Sequence, residues 1–216
     1  MKLYGYFRSS ATYRVRIALG LKGIAWETAV VDLRAPVSAQ HTGEFRSLNP
    51  QGLIPVLIDG ECPLTQSLAI IEYLEETHPQ PPLLPRSPAE RAAVRALALA
   101  VACDIHPLNN LRVLNYLRTQ LAQDDRAVNA WYAHWIATGL APLEREARRL
   151  SGDGRHMYGN SVTLADVCIV PQMANARRFS CDLAPYPTLG AICAYLESLP
   201  AFARAAPAVQ PDAASG

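Results

Sequence analysis

Five prolines fall within the ten residues 79–88, PQPPLLPRSP, and this run limits what the chain can become. Proline fixes φ and removes a backbone donor, so the stretch is neither helix interior nor central strand and reads as an extended linker. The two sides of it differ in periodicity. Before it, short apolar runs rich in Val, Ile and aromatic residues alternate with helical stretches; after it, Ala- and Leu-rich helical spacing continues to about residue 206. We therefore expect an α/β domain over 1–80 and an all-α domain over 88–206. The remaining segment 207–216, small and Pro-containing, reads as a mobile tail. An apolar content of 50% in 216 residues is enough for packed cores.

Within the first half, residues 2–7 (KLYGYF) have the length of a short buried strand. An amphipathic, basic helix starts between Ser10 and Thr12 and stops at Lys22 and Gly23, and a second strand lies within 27–33. Strand, helix and strand in so short a span form a βαβ unit with parallel strands. A weak helical signal at 44–48 precedes IPVLIDGECPLT, two apolar runs about the hairpin dipeptide Asp59-Gly60. Leu68, Ile70, Ile71 and Leu74 then give a helix beginning at Ser67. The order βαβ followed by ββα is that of a thioredoxin-like domain. In the second half, Ser87-Pro88-Ala89-Glu90 has the pattern of a capping box with Pro at the first helical position. Pro107 should bend or break that helix near Cys103. Thr163-Leu164-Ala165-Asp166 opens another box-like start, ahead of the apolar core helix VCIVPQMANARRF.

Lys and Arg total 20 against 19 Asp and Glu, a net charge of +1 that gives no global field for nucleic acid. No stretch reaches the ~20 apolar residues of a membrane span. Five scattered cysteines, Cys62, Cys103, Cys168, Cys181 and Cys193, contain no CxxC pair; we expect reduced thiols in a cytoplasmic protein and no metal site.

Several residues could carry chemistry. Ser9 and Ser10 stand at a helix N-terminus, where they either cap the helix or help its amides and dipole hold an anion. Gln66-Ser67 opens the third helix with the same two readings. His106 and Asn110, four residues apart, would share a helix face, whereas Arg112 on an ideal helix lies roughly 120° from His106. Arg8, Arg112 and Arg178 are candidates for carboxylate binding because arginine stays charged and binds in a planar fork; Arg177 could replace Arg178.

The run YFRSSATYRVRIALGLKGI resembles the active-site signature of zeta-class glutathione transferases. The likeness continues through FRSLNPQGLIPVL, LTQSLAIIEYLEE, CDIHPLNNLRVLNYL and TLADVCIVPQMANARRF, so it spans nearly the whole chain. The family often reads Ser-Ser-Cys where this chain has Ala11 after Ser10, which excludes a protein thiol from the chemistry at that point. The resemblance implies a glutathione transferase fold, glutathione as cosubstrate and a homodimer. It implies that Ser9 or Ser10 stabilises the glutathione thiolate. Ile54, before a cis Pro55, would offer its main chain to the cysteinyl part, Gln66 and Ser67 would bind the γ-glutamyl carboxylate, and Gln40 would reach the glycyl end. His106 and Asn110 would overhang the tripeptide, and Arg8, Arg112 and Arg178 would bind a dicarboxylate substrate. The activity implied is cis–trans isomerisation of maleylpyruvate in aromatic (gentisate) catabolism, or of maleylacetoacetate. A conjugating transferase and a non-catalytic glutathione binder are the other readings.

Overall fold

A computed structural model of the chain describes residues 1–33, 40 and 42–215. β1 (Lys2–Gly5) and β2 (Glu27–Val30) pair in parallel, Lys2 opposite Glu27 and Gly5 opposite Val30, with α1 (Ser10–Leu21) as the crossover. β3 (Val56–Asp59) and β4 (Cys62–Thr65) form an antiparallel hairpin in which Asp59 faces Cys62 across Gly60 and Glu61. Gly60 has φ +59, the left-handed geometry such a two-residue turn requires. The sheet runs β2-β1-β3-β4, α2 (Gly43–Leu48) precedes the hairpin and α3 (Ser67–Thr77) follows it. Each expected element of the thioredoxin-like half is present.

The structure corrects one expectation about α1. It is not amphipathic: every residue from Ser10 to Leu19 is buried, including Arg14 and Arg16, because α3 and a later helix, α9 (Pro200–Ala205), pack along it. Its end is a Schellman motif. Ile24 N–H donates to Leu19 and Gly23 N–H to Gly20, with Gly23 at φ +66. Buried Lys22 at the cap ties three segments together, donating to Glu75 of α3 at 2.5 Å and to the Pro81 carbonyl at 2.9 Å.

At its start, α1 lies so close to β1 that a Cβ on Gly5 would fall 2.3 Å from Thr12 Cγ2. Both residues are buried and Thr12 is too short to swing away. Gly5→Ala is therefore expected to destabilise the protein by roughly 1–3 kcal/mol through overpacking. Urea unfolding measures it, and an unchanged midpoint would show that α1 can shift off the sheet.

The chain separates into two units, Leu83–Ser198 and a discontinuous one comprising Met1–Pro82 with Leu199–Gly216. Two boundaries thus differ from the sequence reading. α9 and the 3-10 turns Pro207–Val209 and Pro211–Ser215 belong with the first unit and not with the helical domain or a separate tail. The second unit contains α4 (Pro88–Leu99), a π-helical turn (Ala100–Ile105), α5 (Leu111–Thr119), α6 (Asp125–Leu150), α7 (Leu164–Arg178) and α8 (Pro187–Ser198). Ser87 is the N-cap of α4 by conformation, yet its side chain makes no cap hydrogen bond, so the expected box is absent there. The box at Thr163 does form. Asp166, fully buried, accepts from the Thr163 N–H and hydroxyl and from the Met157 N–H at 2.7–2.8 Å.

Pro107 ends the long helix as expected, by way of the π turn: His106 N–H reaches back to Val101 O. The segment from 106 to 110 is not helical, and Asn110 has extended φ −67, ψ 147 as the N-cap of α5. His106 and Asn110 therefore do not share a helix face, and the 120° phase between His106 and Arg112 does not apply. A proline without a donor and an asparagine that caps a new helix divide one expected helix into two.

Candidate active site

The first unit carries two helix N-termini rich in donors. Ser9 is the N-cap of α1, and its Oγ accepts the Thr12 N–H at 3.2 Å. Capping and anion stabilisation are thus compatible, because accepting that bond leaves the Ser9 hydroxyl proton to donate. Ser10 is the first helical residue and is buried, whereas Ser9 is half-buried. Exposure therefore favours Ser9 as the hydroxyl a ligand can reach. Arg8 is exposed, with its guanidinium 4.9 Å from the Phe7 ring centroid.

At α3, the N-cap Gln66 has φ +66 and no side-chain cap bond, so the first amides of the helix are not closed by their own cap. Gln66 Nε2 donates to Gln51 Oε1 at 2.8 Å. Ser67 is buried and its Oγ accepts from Arg14 Nε at 3.1 Å, which leaves the hydroxyl proton to donate elsewhere and sets a buried guanidinium beside it. Arg14, 3% exposed in the middle of α1, is a residue that sequence reasoning missed. The available signal was the spacing of two arginines, Arg14 and Arg16, inside an otherwise apolar run.

Ile54-Pro55 is cis. The Ile54 side chain packs against the cluster of Val31, Phe45 and Val56. Buried Asn49 braces the loop before it, donating to the Leu53 carbonyl at 2.6 Å and accepting from the Gln51 N–H at 3.1 Å. Gln40 is half-buried.

In the second unit, His106 is half-buried at the close of the π turn and the Asn110 side-chain Oδ1 accepts the Arg112 N–H at 3.1 Å. Arg112 is exposed in the first turn of α5. At the end of α7, Arg177 and Arg178 separate in role. Arg177 forms a two-pronged pair with Glu197 of α8. Arg178 donates to Asn175 Oδ1 at 3.0 Å and lies 4.6 Å from the Phe179 ring centroid. Phe179 in turn stacks on buried Tyr132, centroids 4.0 Å apart. Burial pushes the Tyr132 hydroxyl pKa up, and the Arg178 charge and Asn175 side chain oppose the shift. The Tyr132-Phe179-Arg178 stack was not foreseen; its signal was the aromatic directly after ARR.

Residues 3–82 match the glutathione S-transferase N-terminal domain family. A probable maleylacetoacetate isomerase of Vibrio cholerae is 56% identical over 98% of this chain and 97% of its own length. A structure described as the holo form of maleyl pyruvate isomerase, a bacterial glutathione transferase of the zeta class, is 48% identical. It covers 98% of this chain and 99% of its own, with a TM-score of 0.95. This chain belongs to the zeta-class glutathione transferases. A further relative of known structure, maleylacetoacetate isomerase of Methylobacterium extorquens AM1 with bound malonate and GSH, is 44% identical over 99% of each chain, with a TM-score of 0.94.

The uncapped α3 N-terminus, with the Ser67 hydroxyl backed by Arg14, suits a carboxylate, and the Ser9 hydroxyl at α1 suits a thiolate. Among the described residues, no group of three or more His, Cys, Asp or Glu could hold a metal ion, and no helix is long and apolar enough to cross a membrane.

Proposed function

We propose that this protein is a glutathione-dependent cis–trans isomerase of maleylpyruvate, with maleylacetoacetate as the alternative substrate. The observation that carries the reading is the Ser9-capped start of α1, with Arg8 stacked beside it, in a chain 44–56% identical to maleyl-oxoacid isomerases. The 56% identity to a probable maleylacetoacetate isomerase supports the alternative equally. Glutathione, when bound, would supply a thiolate whose lone pair adds reversibly to the cis alkene, the π pair passing to the conjugated carbonyl oxygen and returning as the sulfur leaves the trans isomer.

The chain's own residues do the rest. Ser67, with Gln66 and the α3 amides, holds the γ-glutamyl carboxylate; Ile54 offers its main chain to the cysteinyl part; Gln40 reaches the glycyl end; His106 and Asn110 contact the tripeptide. The Ser9 hydroxyl donates to the sulfur. A hydrogen bond to a charged group contributes roughly 1.5–3 kcal/mol and the helix end roughly 0.3–1 kcal/mol. At about 1.4 kcal/mol per unit, the bound thiol titrates roughly 1–3 units below its reference value. Arg8, Arg112 and Arg178 bind the substrate carboxylates and offset the negative charge that develops on the substrate's carbonyl oxygen. Since Arg177 is taken by Glu197, Arg178 is the better-supported member of that pair. Ala11 brings no thiol to this chemistry. We also read the protein as a cytoplasmic homodimer, on family resemblance and the absence of paired cysteines among the five.

Ser9→Ala is expected to lower kcat by roughly 10- to 150-fold, the equivalent of the lost charged hydrogen bond, with a much smaller effect on glutathione affinity. Loss of the absorbance of each maleyl-oxoacid at saturating glutathione measures it. Wild-type turnover in Ser9→Ala with loss in Ser10→Ala would move the role one residue along. Rapid conjugation of chlorodinitrobenzene without isomerisation of either acid would replace the reading with a general transferase.

A further inference from the structure

Phe7 joins β1 to the loop that carries Arg8 and Ser9, and both of its backbone polar groups are held by side chains. Its N–H donates to Asp212 Oδ2 at 2.8 Å, across 205 positions of sequence. Its carbonyl accepts from Arg16 Nη2 at 3.1 Å, while Arg16 Nε donates to the Ala205 carbonyl at 2.9 Å. Arg16 is 3% exposed. Burial brings its pKa down to about 10, against the opposing charge of Asp212. The turn that carries Asp212 is fixed as well: buried Gln210 donates to the Arg204 and Ala206 carbonyls, both at 2.9 Å, and accepts the Ala213 N–H at 3.0 Å.

These bonds converge on the part of the loop that matters for the chemistry. Arg8 rests on the Phe7 ring, and the Ser9 N–H donates to the Tyr6 carbonyl at 3.0 Å. Displacing Phe7 would therefore move the Arg8 guanidinium and the Ser9 hydroxyl together. A role in tethering the segment alone does not account for the choice of partner. α9 already packs on α1, with Ala201 against Gly20, yet the carboxylate beyond it is spent on the amide one residue before Arg8. A charge-assisted bond of this kind is stronger and more directional than a neutral one.

We propose that Asp212, acting with Arg16, is a positioning residue for the isomerase site: it fixes the Phe7 backbone and so sets where Arg8 and Ser9 stand. The proposal rests on the reading of Ser9 as the group that donates to the glutathione sulfur. Catalytic groups have to be held within about 0.5 Å of productive geometry, and a displacement of about 1 Å can cost 100-fold.

The test uses the full chain with Asp212→Ala, which removes the acceptor, and Asp212→Asn, which keeps an acceptor oxygen without the charge. The bound glutathione thiol is titrated by its thiolate absorbance, beside kcat on maleylpyruvate and thermal stability. Asp212→Ala is expected to raise the thiol pKa by about one unit, a tenfold loss of thiolate at fixed pH, and to lower kcat by about 10- to 100-fold. Asp212→Asn is expected to recover most of both. A variant that melts lower but keeps the wild-type thiol titration and kcat while folded overturns the proposal. Ser9→Ala run beside it locates the fault. A thiol unmoved in both variants condemns the Ser9 reading, and a thiol moved in Ser9→Ala alone condemns the role of Asp212.

Discussion

Arg178→Lys and Arg8→Lys are each expected to lower kcat/KM for maleylpyruvate by about 30-fold to several thousand-fold, although both keep the charge. Removing one partner of a desolvated, hydrogen-bonded charge pair costs roughly 2–5 kcal/mol, which converts to that range at about 1.4 kcal/mol per tenfold. A point charge cannot reproduce the planar two-donor fork that a carboxylate accepts. Nor does a compact ammonium lie flat on the ring face 4.6 Å away while it donates to the Asn175 oxygen, as the Arg178 guanidinium does at 3.0 Å. Arg8 has the Phe7 ring in the same role. Arg112, in the first turn of α5 without a ring beneath it among the described contacts, is expected to show an intermediate loss as Lys. The dissociation constant for glutathione should change far less in all three variants. Unchanged efficiency in both Arg8→Lys and Arg178→Lys would remove the dicarboxylate clamp and leave a general transferase.

Asp166→Ala should be the most damaging change for stability. Its carboxylate accepts three hydrogen bonds in a fully buried setting, two from N–H groups at the start of α7 and in the turn before it. At roughly 1–3 kcal/mol for each of the two buried N–H donors left without a partner, we expect a loss of about 2–6 kcal/mol, a large share of the usual 5–15 kcal/mol total. Urea unfolding measures it; a loss below about 1 kcal/mol would show that these donors find other acceptors.

The same residue has a pH signature. Burial raises its pKa from 3.8 to about 6, even though its hydrogen bonds oppose the shift. Between those values the unfolded carboxylate has released its proton and the folded one has not, so stability falls as pH rises through that window. Glu144 of α6 behaves in the opposite sense. Burial opposes its charge, but the Leu189 and Thr188 N–H groups at the start of α8, together with Arg148, hold its pKa below the ordinary value. Its contribution is present above the ordinary glutamate pKa and is lost as pH falls through the depressed folded one. Asp166→Ala should therefore remove the falling limb of the stability profile, and Glu144→Gln the rising one.

What could be read from the residues alone follows the range of the interactions concerned. The Asp59-Gly60 hairpin, the Gly23 stop, the start at Ser67 and the Thr163 box all rest on turn or cap chemistry within a few residues, and all four are present. The Arg14-Ser67 bond and the Asp212-Phe7 bond join residues 53 and 205 positions apart, and no local pattern announces them. The face assigned to His106 and Asn110 failed for an intermediate reason. Pro107 signalled a break, but whether the helix would resume in phase depended on the π turn and on Asn110 taking the cap. The sequence around Gln40 has too little periodicity to constrain an element there.

The discontinuity of the first unit has a consequence for synthesis on the ribosome, where domains form in order of emergence. When residues 1–82 have left the exit tunnel, the flank of α1 that later receives α9 is still bare. Arg16 then has the Phe7 carbonyl but neither the Ala205 carbonyl nor the Asp212 charge. The whole of Leu83–Ser198 has to be translated before those partners arrive. The nascent chain thus spends most of its synthesis with a half-matched cation beside the loop that bears Ser9, and the first unit is completed only after the helical one.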